Sequence, residues 1–227
     1  MPDTITKLTH DSHIQDFVKA NREWRDEIVK THSLKLFTEQ SAKGQHPHTM
    51  LIACCDSRYN ETCFHTLPGE IFTYRVIGNM CISNDLHLMS SMEYGLKVLG
   101  VKRIILCGHT DCGAIKTVLK LERGSLLDKD CPYLHSYLAD IEDLYMEECR
   151  RLSTSDESES KHNVLQKGSF DEQSEYLVLR NLERNFNRLV EMDMVRKAVK
   201  EKGVEVYGMI YNVSTGLVET VSSYPSE

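Results

Sequence analysis

Two short runs in this 227-residue sequence carry side chains that bind metals: Cys54-Cys55-Asp56-Ser57-Arg58 and Gly108-His109-Thr110-Asp111-Cys112-Gly113. Two thiolates and one imidazole, from Cys54, Cys112 and His109, form a soft donor set suited to Zn2+. Three protein donors leave a fourth position open, the arrangement of catalytic rather than structural zinc. His109 and Cys112 are close enough in sequence for one turn entering a helix to bring both to a single ion, while Cys54 has to arrive from a neighbouring strand. Asp56 and Arg58 stand beside the first cysteine and can pair. The plainer alternatives are a buried cysteine pair with a core histidine, and an ordinary surface ion pair. The combined spacing favours the metal. Cys55, Cys63, Cys81, Cys107, Cys131 and Cys149 lack a matching partner spacing and are expected to be inert thiols. Cys55 adjoins a donor but points to the other face of an extended segment.

The elements that must position these runs follow from hydrophobic patterning. Residues 49–54, 71–75 and 103–107 are apolar runs with the length of buried strands. Amphipathic helices are expected over 13–30 and 34–43. Another is expected over 85–99, with Ser83 or Asn84 as N-cap and Gly100 beyond its end. Residues 112–121 and 133–150 also read as helices, and Leu179, Leu182, Phe186 and Leu189 mark a longer one that Gly203 ends. Residues 204–211 return to strand before a turn at Ser214-Thr215-Gly216. Strands alternating with helices define an α/β fold, a mainly parallel sheet flanked by helices with an N-terminal helical extension. Ligands of such sheets sit beyond the carboxyl ends of strands, where both metal-binding runs lie. The whole chain, 1–227, is expected to be one domain, with residues 1–44 as a helical arm and a flexible loop over 151–170, rich in Ser, Asp and Glu.

Composition narrows the partners. The formal net charge is -7 and the pI about 5.8, which disfavours the counterion release that drives nucleic-acid binding. No apolar run approaches the roughly 20 residues of a membrane span. The N-terminal residues show neither a signal-peptide core nor the Arg-rich bias of a transit peptide, so the cytoplasm is the expected location, with an organelle left open. Eight cysteines are too sparse for a disulfide scaffold.

Cys-x-Asp-Ser-Arg followed by Gly-His-Thr-x-Cys-Gly resembles the signature of β-class carbonic anhydrases. The resemblance extends over 17–218 and takes in Ala42-Lys43-Gly44-Gln45, Pro68-Gly69-Glu70, Met92-Glu93-Tyr94, Leu99-Gly100-Val101 and residues 211–216. It implies reversible hydration of carbon dioxide to bicarbonate, with Zn2+ held by Cys54, His109 and Cys112. Asp56 would orient the oxygen nucleophile, and Arg58 would hold the Asp56 carboxylate off the metal. If that pair breaks, Asp56 itself becomes the fourth ligand, the closed state known in the family. Carbonic anhydrases with three histidine ligands are the reference case for lowering the pKa of a bound water to about 7. Two thiolates weaken that effect, and Asp56 is placed to compensate.

The resemblance also implies that Gln45, Phe72, Ile77 and Tyr94 surround the substrate at a subunit interface, in a homodimer or a tetramer. His46 and His48, near Gln45, are candidate proton shuttles, though loop histidines are more often bystanders. The sequence departs from the family at Arg75-Val76-Ile77-Gly78-Asn79, where Val76 replaces an Asn that would bond buried backbone. It also has Ala114 in place of a second glycine after Gly113, and no Pro in 192–195. The altered loop from Arg75 to Asn79 keeps one rival in view, a hydrolase of carbonyl sulfide or carbon disulfide; a second is a catalytically silent zinc protein, its fourth site permanently filled by Asp56, that senses bicarbonate or binds a partner.

Overall fold

Helix α1 (Ile14–His32) begins where Asp16 reaches back to accept a hydrogen bond from the His13 amide at 2.8 Å, and α2 (Lys35–Lys43) follows after a short turn. Neither helix contains a buried residue. They meet through Trp24 and Phe37, edge to face with centroids 6.0 Å apart. The computed structural model describes residues 6–121, 131–154 and 164–225 and divides into two units, Met1–His46 and Pro47–Glu227.

In the second unit, strands β1 (Thr49–Ala53), β2 (Ile71–Arg75), β3 (Arg103–His109), β4 (Glu205–Tyr211) and β5 (Val218–Tyr224) form one sheet of order β2-β1-β3-β4-β5. All pairs are parallel except β4 with β5. Alternate residues of the central strands feed two cores. Met50, Ile52, Ile104 and Leu106 face one, while Leu51, Ala53, Ile105 and Cys107 face the other. Complete burial of one such Leu or Ile contributes about 1.5–3 kcal/mol, so the apolar character of β1 and β3 fixes them at the sheet centre. The chain runs from β1 outward to β2 and returns to the other side of β1 as β3. The order therefore reverses between β1 and β3, and a crevice opens beyond their carboxyl ends.

The helices cover both faces. Helix α3 (Leu86–Glu93) is capped by Asp85, whose Oδ1 accepts from the amides of His87 and Leu88. This corrects the expected Ser83 or Asn84: the carboxylate of Asp85 reaches two free amides and suits the positive end of the helix. After Glu93 the helix widens into a π-type turn, Tyr94–Leu99, and ends at Gly100 with φ 69°. The wide turn brings Gly95 against the Met50 sulfur, where a Cβ would come within 3.1 Å.

Helices α4 (Gly113–Leu121), α5 (Pro132–Thr154), α6 (Val164–Lys167), α7 (Phe170–Glu191) and α8 (Asp193–Lys202) complete the unit. The single long helix expected to end at Gly203 is two, broken at Met192 (ψ 129°) without a proline. The break turns the chain so that Val195 and Ala198 of α8 reach the same core as Leu189. Of the loop expected over 151–170, residues 151–154, 164–167 and 170 are helical: Arg151 pairs with Glu148 on the last turns of α5, Leu165 is buried, and Phe170 opens α7. Residues 155–163 lie outside the described part. No helix among the described residues is long and apolar enough to cross a membrane.

Candidate metal centre

Cys54 directly follows β1, His109 ends β3, and Cys112 immediately precedes α4, so the crevice between β1 and β3 gathers all three. One donor atom from each lies within 4.8 Å of the other two, and all three residues are buried. The His109 ring orientation is fixed: Nδ1 is 2.9 Å from the Thr110 carbonyl, which can only accept, so Nδ1 carries the proton. Nε2 therefore presents a lone pair, and it is buried without a hydrogen-bond partner. An imidazole nitrogen left so is costly unless it binds a cation.

The two sulfurs carry the same message. A hydrogen bond from Cys112 leads the causes that push the Cys54 thiol down. That same bond, which Cys112 donates, together with burial pushes Cys112 up. Two adjacent buried thiolates repel unless a cation lies between them. The Asp56 amide faces the Cys54 sulfur, and the amides of Ala114 and Ile115 at the start of α4 face that of Cys112. An orphaned nitrogen, two adjacent buried sulfurs and soft donor chemistry together fit a divalent metal such as zinc.

Beside this cluster Asp56 and Arg58 form a bidentate pair, with Nε donating to Oδ1 at 2.9 Å and Nη2 to Oδ2 at 2.7 Å. Hydrogen bonds from Arg58 hold the Asp56 carboxyl down at about 2, so it is ionised throughout the neutral range. Its Oδ2 lies 3.8 Å from His109 Nε2. The spacing in sequence thus places donors and carboxylate on one crevice.

Two residues that sequence reasoning did not single out hold the loop between β1 and β2. The buried Tyr59 hydroxyl donates to the Cys107 carbonyl at 3.0 Å and accepts from the Cys54 amide at 3.1 Å. Its ring stacks on Tyr211, with centroids 4.8 Å apart. Burial pushes its pKa well up, which keeps the donating proton in place. Arg75 donates from Nε and Nη2 to the Cys54 carbonyl, and from Nη2 to the carbonyls of Asp56 and Tyr59. A charged residue closing the otherwise apolar β2 was the available sign of that role.

The residues expected around the substrate are not all in one place. Phe72 and Tyr94 meet with ring centroids 5.8 Å apart, but Phe72 is level with Met50 on β1, so the pair lies roughly 13 Å along the strand from Cys54. Ile77 is 40% and Tyr94 43% exposed. Gln45 is exposed and belongs to the first unit. His46 Nε2 contacts the Lys43 carbonyl and His48 Nδ1 the Thr49 hydroxyl. Of the cysteines expected to be inert, Cys81 and Cys107 are pushed up to about 12 by burial, and no disulfide joins any cysteine. Val76 brings no hydrogen-bonding side chain to the loop after β2, and two amide side chains of α7 reach this region. Asn181 donates to the Gly78 carbonyl at 2.9 Å, and Asn185 accepts from the Cys81 amide at 2.7 Å.

A doubly covered, mainly parallel sheet with a buried Cys-His-Cys cluster and a carboxylate-guanidinium pair at its reversal point defines an α/β protein with a candidate metal site. Comparison with known proteins narrows this. A family model described as carbonic anhydrase matches residues 49–218. The carbonic anhydrase of Saccharomyces cerevisiae is 41% identical, covering 97% of this chain and 94% of its own. That of Candida albicans is 31% identical over 94% of this chain and 70% of its own. Among solved structures, a β-carbonic anhydrase of Aspergillus fumigatus superposes with TM-score 0.76 at 28% identity, covering 92% of this chain and 90% of its own. The Coccomyxa β-carbonic anhydrase in complex with acetazolamide gives TM-score 0.76 at 27% identity, over 93% and 88%. The chain belongs to the β class of the carbonic anhydrase family.

Proposed function

We propose that the protein catalyses the reversible hydration of carbon dioxide to bicarbonate and a proton, with Zn2+ held by Cys54, His109 and Cys112. The observation that carries this reading is a buried Cys-His-Cys cluster whose imidazole lone pair has no partner, flanked by an ionised carboxylate. When bound there, zinc supplies Lewis acidity and an acidified water.

The chain's own residues do the rest. Asp56, charged across the neutral range, accepts a hydrogen bond from the attacking oxygen and turns its lone pair toward the carbon of carbon dioxide. Arg58 occupies both carboxylate oxygens of Asp56 and so restrains it from turning to the metal. Tyr59 and Arg75 fix the backbone that carries Cys54 and Asp56. Phe72, Ile77 and Tyr94 are proposed to exclude water around the substrate, with Gln45 donating to bicarbonate. Phe72 and Tyr94 are remote from Cys54 within one chain, and Ile77 and Tyr94 are exposed. This supports a homodimer or tetramer in which these residues serve the centre of another copy.

The test is stopped-flow carbon dioxide hydration alongside metal analysis. Turnover should track zinc content, disappear on chelation and return on adding zinc. A fully metallated protein without turnover at alkaline pH overturns the reading, and a parallel assay with carbonyl sulfide shows whether that isostere is the preferred substrate.

A further inference from the structure

Arg58 is gripped from two sides. One edge of its guanidinium holds Asp56; on the other, Nη1 pairs with the Asp111 carboxylate and Nη2 donates to the Asp111 carbonyl at 2.9 Å. Asp111 sits in the left-handed region at φ 60°, and a single residue there offers both its carbonyl and its carboxylate to the same guanidinium. Its second carboxylate oxygen is taken by Lys116 of α4. Among the described residues Asp111 is the only partner of Arg58 outside Arg58's own loop. Asp111 also directly precedes Cys112, so it ties the guanidinium to the segment bearing two of the three donors.

We propose that Asp111, anchored by Lys116, is a positioning residue that latches the Asp56-Arg58 pair away from the metal position and so keeps the fourth coordination site open. The proposal rests on the reading of the preceding subsection. Asp56 Oδ2 already lies 3.8 Å from His109 Nε2, so a small swing of an unrestrained carboxylate reaches the ion. Arg58 prevents that swing only while it is itself held. It is 43% exposed, and Asp111 supplies that hold.

The experiment uses full-length protein loaded with Co2+, with metal counted per chain and thiocyanate binding followed by visible absorption. Asp111→Gly removes the carboxylate yet keeps a residue at ease with positive φ. When Asp56 fills the site part of the time, the apparent thiocyanate Kd rises by the reciprocal of the open fraction, an expected weakening of about threefold to tenfold. The double variant Asp56→Ala/Asp111→Gly should return to within about twofold of Asp56→Ala alone. A merely structural effect of position 111 would survive removal of Asp56. Asp111→Gly binding thiocyanate like the unaltered protein, or a double variant as weak as Asp111→Gly, overturns the latch alone. Should Asp111→Gly fail to load, Asp111→Asn is read by the same criteria. An unaltered protein that takes up no metal overturns the proposed function and the latch with it.

Discussion

The Cys54, His109 and Cys112 cluster lies beside the chain of charges Asp56, Arg58, Asp111 and Lys116, yet the two are held by different physics. The donors are buried and grow from central strands and the start of a helix, where ladder hydrogen bonds and two packed cores fix their backbone. The charged groups are partly exposed and hold chiefly one another. Isolated exposed ion pairs are each worth about 0–1 kcal/mol, and gain when they are bidentate or form a network. A buried strand residue, by contrast, moves only if packing fails. An immovable donor set next to an adjustable flank suits a centre whose last coordination position opens and shuts.

The contrast breaks outright if a buried donor can be lost without consequence. His109→Ala is expected to lower bound metal from about one equivalent per chain to below about a tenth, measured by elemental analysis, with hydration falling in step. A full equivalent retained would place the ion elsewhere. On the flank, Asp56→Ala should keep its metal and slow hydration by about 100-fold, the scale of a lost acid-base partner, read by stopped flow. Loss of metal in that variant would make Asp56 part of the fixed set.

Smaller effects sharpen the boundary. Tyr59→Phe strands the Cys54 amide and the Cys107 carbonyl in a buried setting and should cost about 1–3 kcal/mol in urea unfolding of the metal-free protein. An unchanged midpoint would mean the donors do not depend on that hydroxyl. The smallest change is expected at Arg188, which grips Asp140 with the same two-pronged geometry in a partly exposed setting away from the centre. Burial pushes the Asp140 carboxyl up, and Arg188 more than offsets it, so the net shift is downward. A depressed carboxyl stabilises the fold above its unfolded value near pH 4 and loses that contribution as pH falls through the folded value. Arg188→Met should therefore cost about 1 kcal/mol at neutral pH, and the gap from the unaltered protein should close below about pH 4 in thermal melts. A gap that widens with acid contradicts this sign.

What the sequence made legible was whatever chemistry or period writes locally. Cys54, His109 and Cys112 were readable because soft donors at strand ends are rare company, and β2 because Ile71 to Arg75 is a short apolar run of strand length. The break at Met192 was not, since nothing in the local pattern interrupts the helical period; the shared core of Leu189, Val195 and Ala198 sets it. Tyr59 and Arg75 were missed because their partners are carbonyls and amides, which have no letter in a sequence. Asn181 and Asn185 bond the backbone after β2 from 103 and 104 positions away, a separation no local pattern reveals. Arg58 and Asp111 meet across 53 positions, and only the adjacency of β1 and β3 discloses their pairing.

The parallel ladder from Thr49 with Arg103 to Ala53 with Cys107 sets how far apart the Cys54 and His109 carriers stand. In small zinc modules the metal closes the fold, so metallation and folding are one event. Here the carriers hang on a sheet whose two apolar cores do not need a metal to close them, so folding is expected to be separable from metal uptake. The supply of metal, rather than the yield of folding, then governs how many copies are competent, and a chelator should empty the centre while leaving the architecture standing.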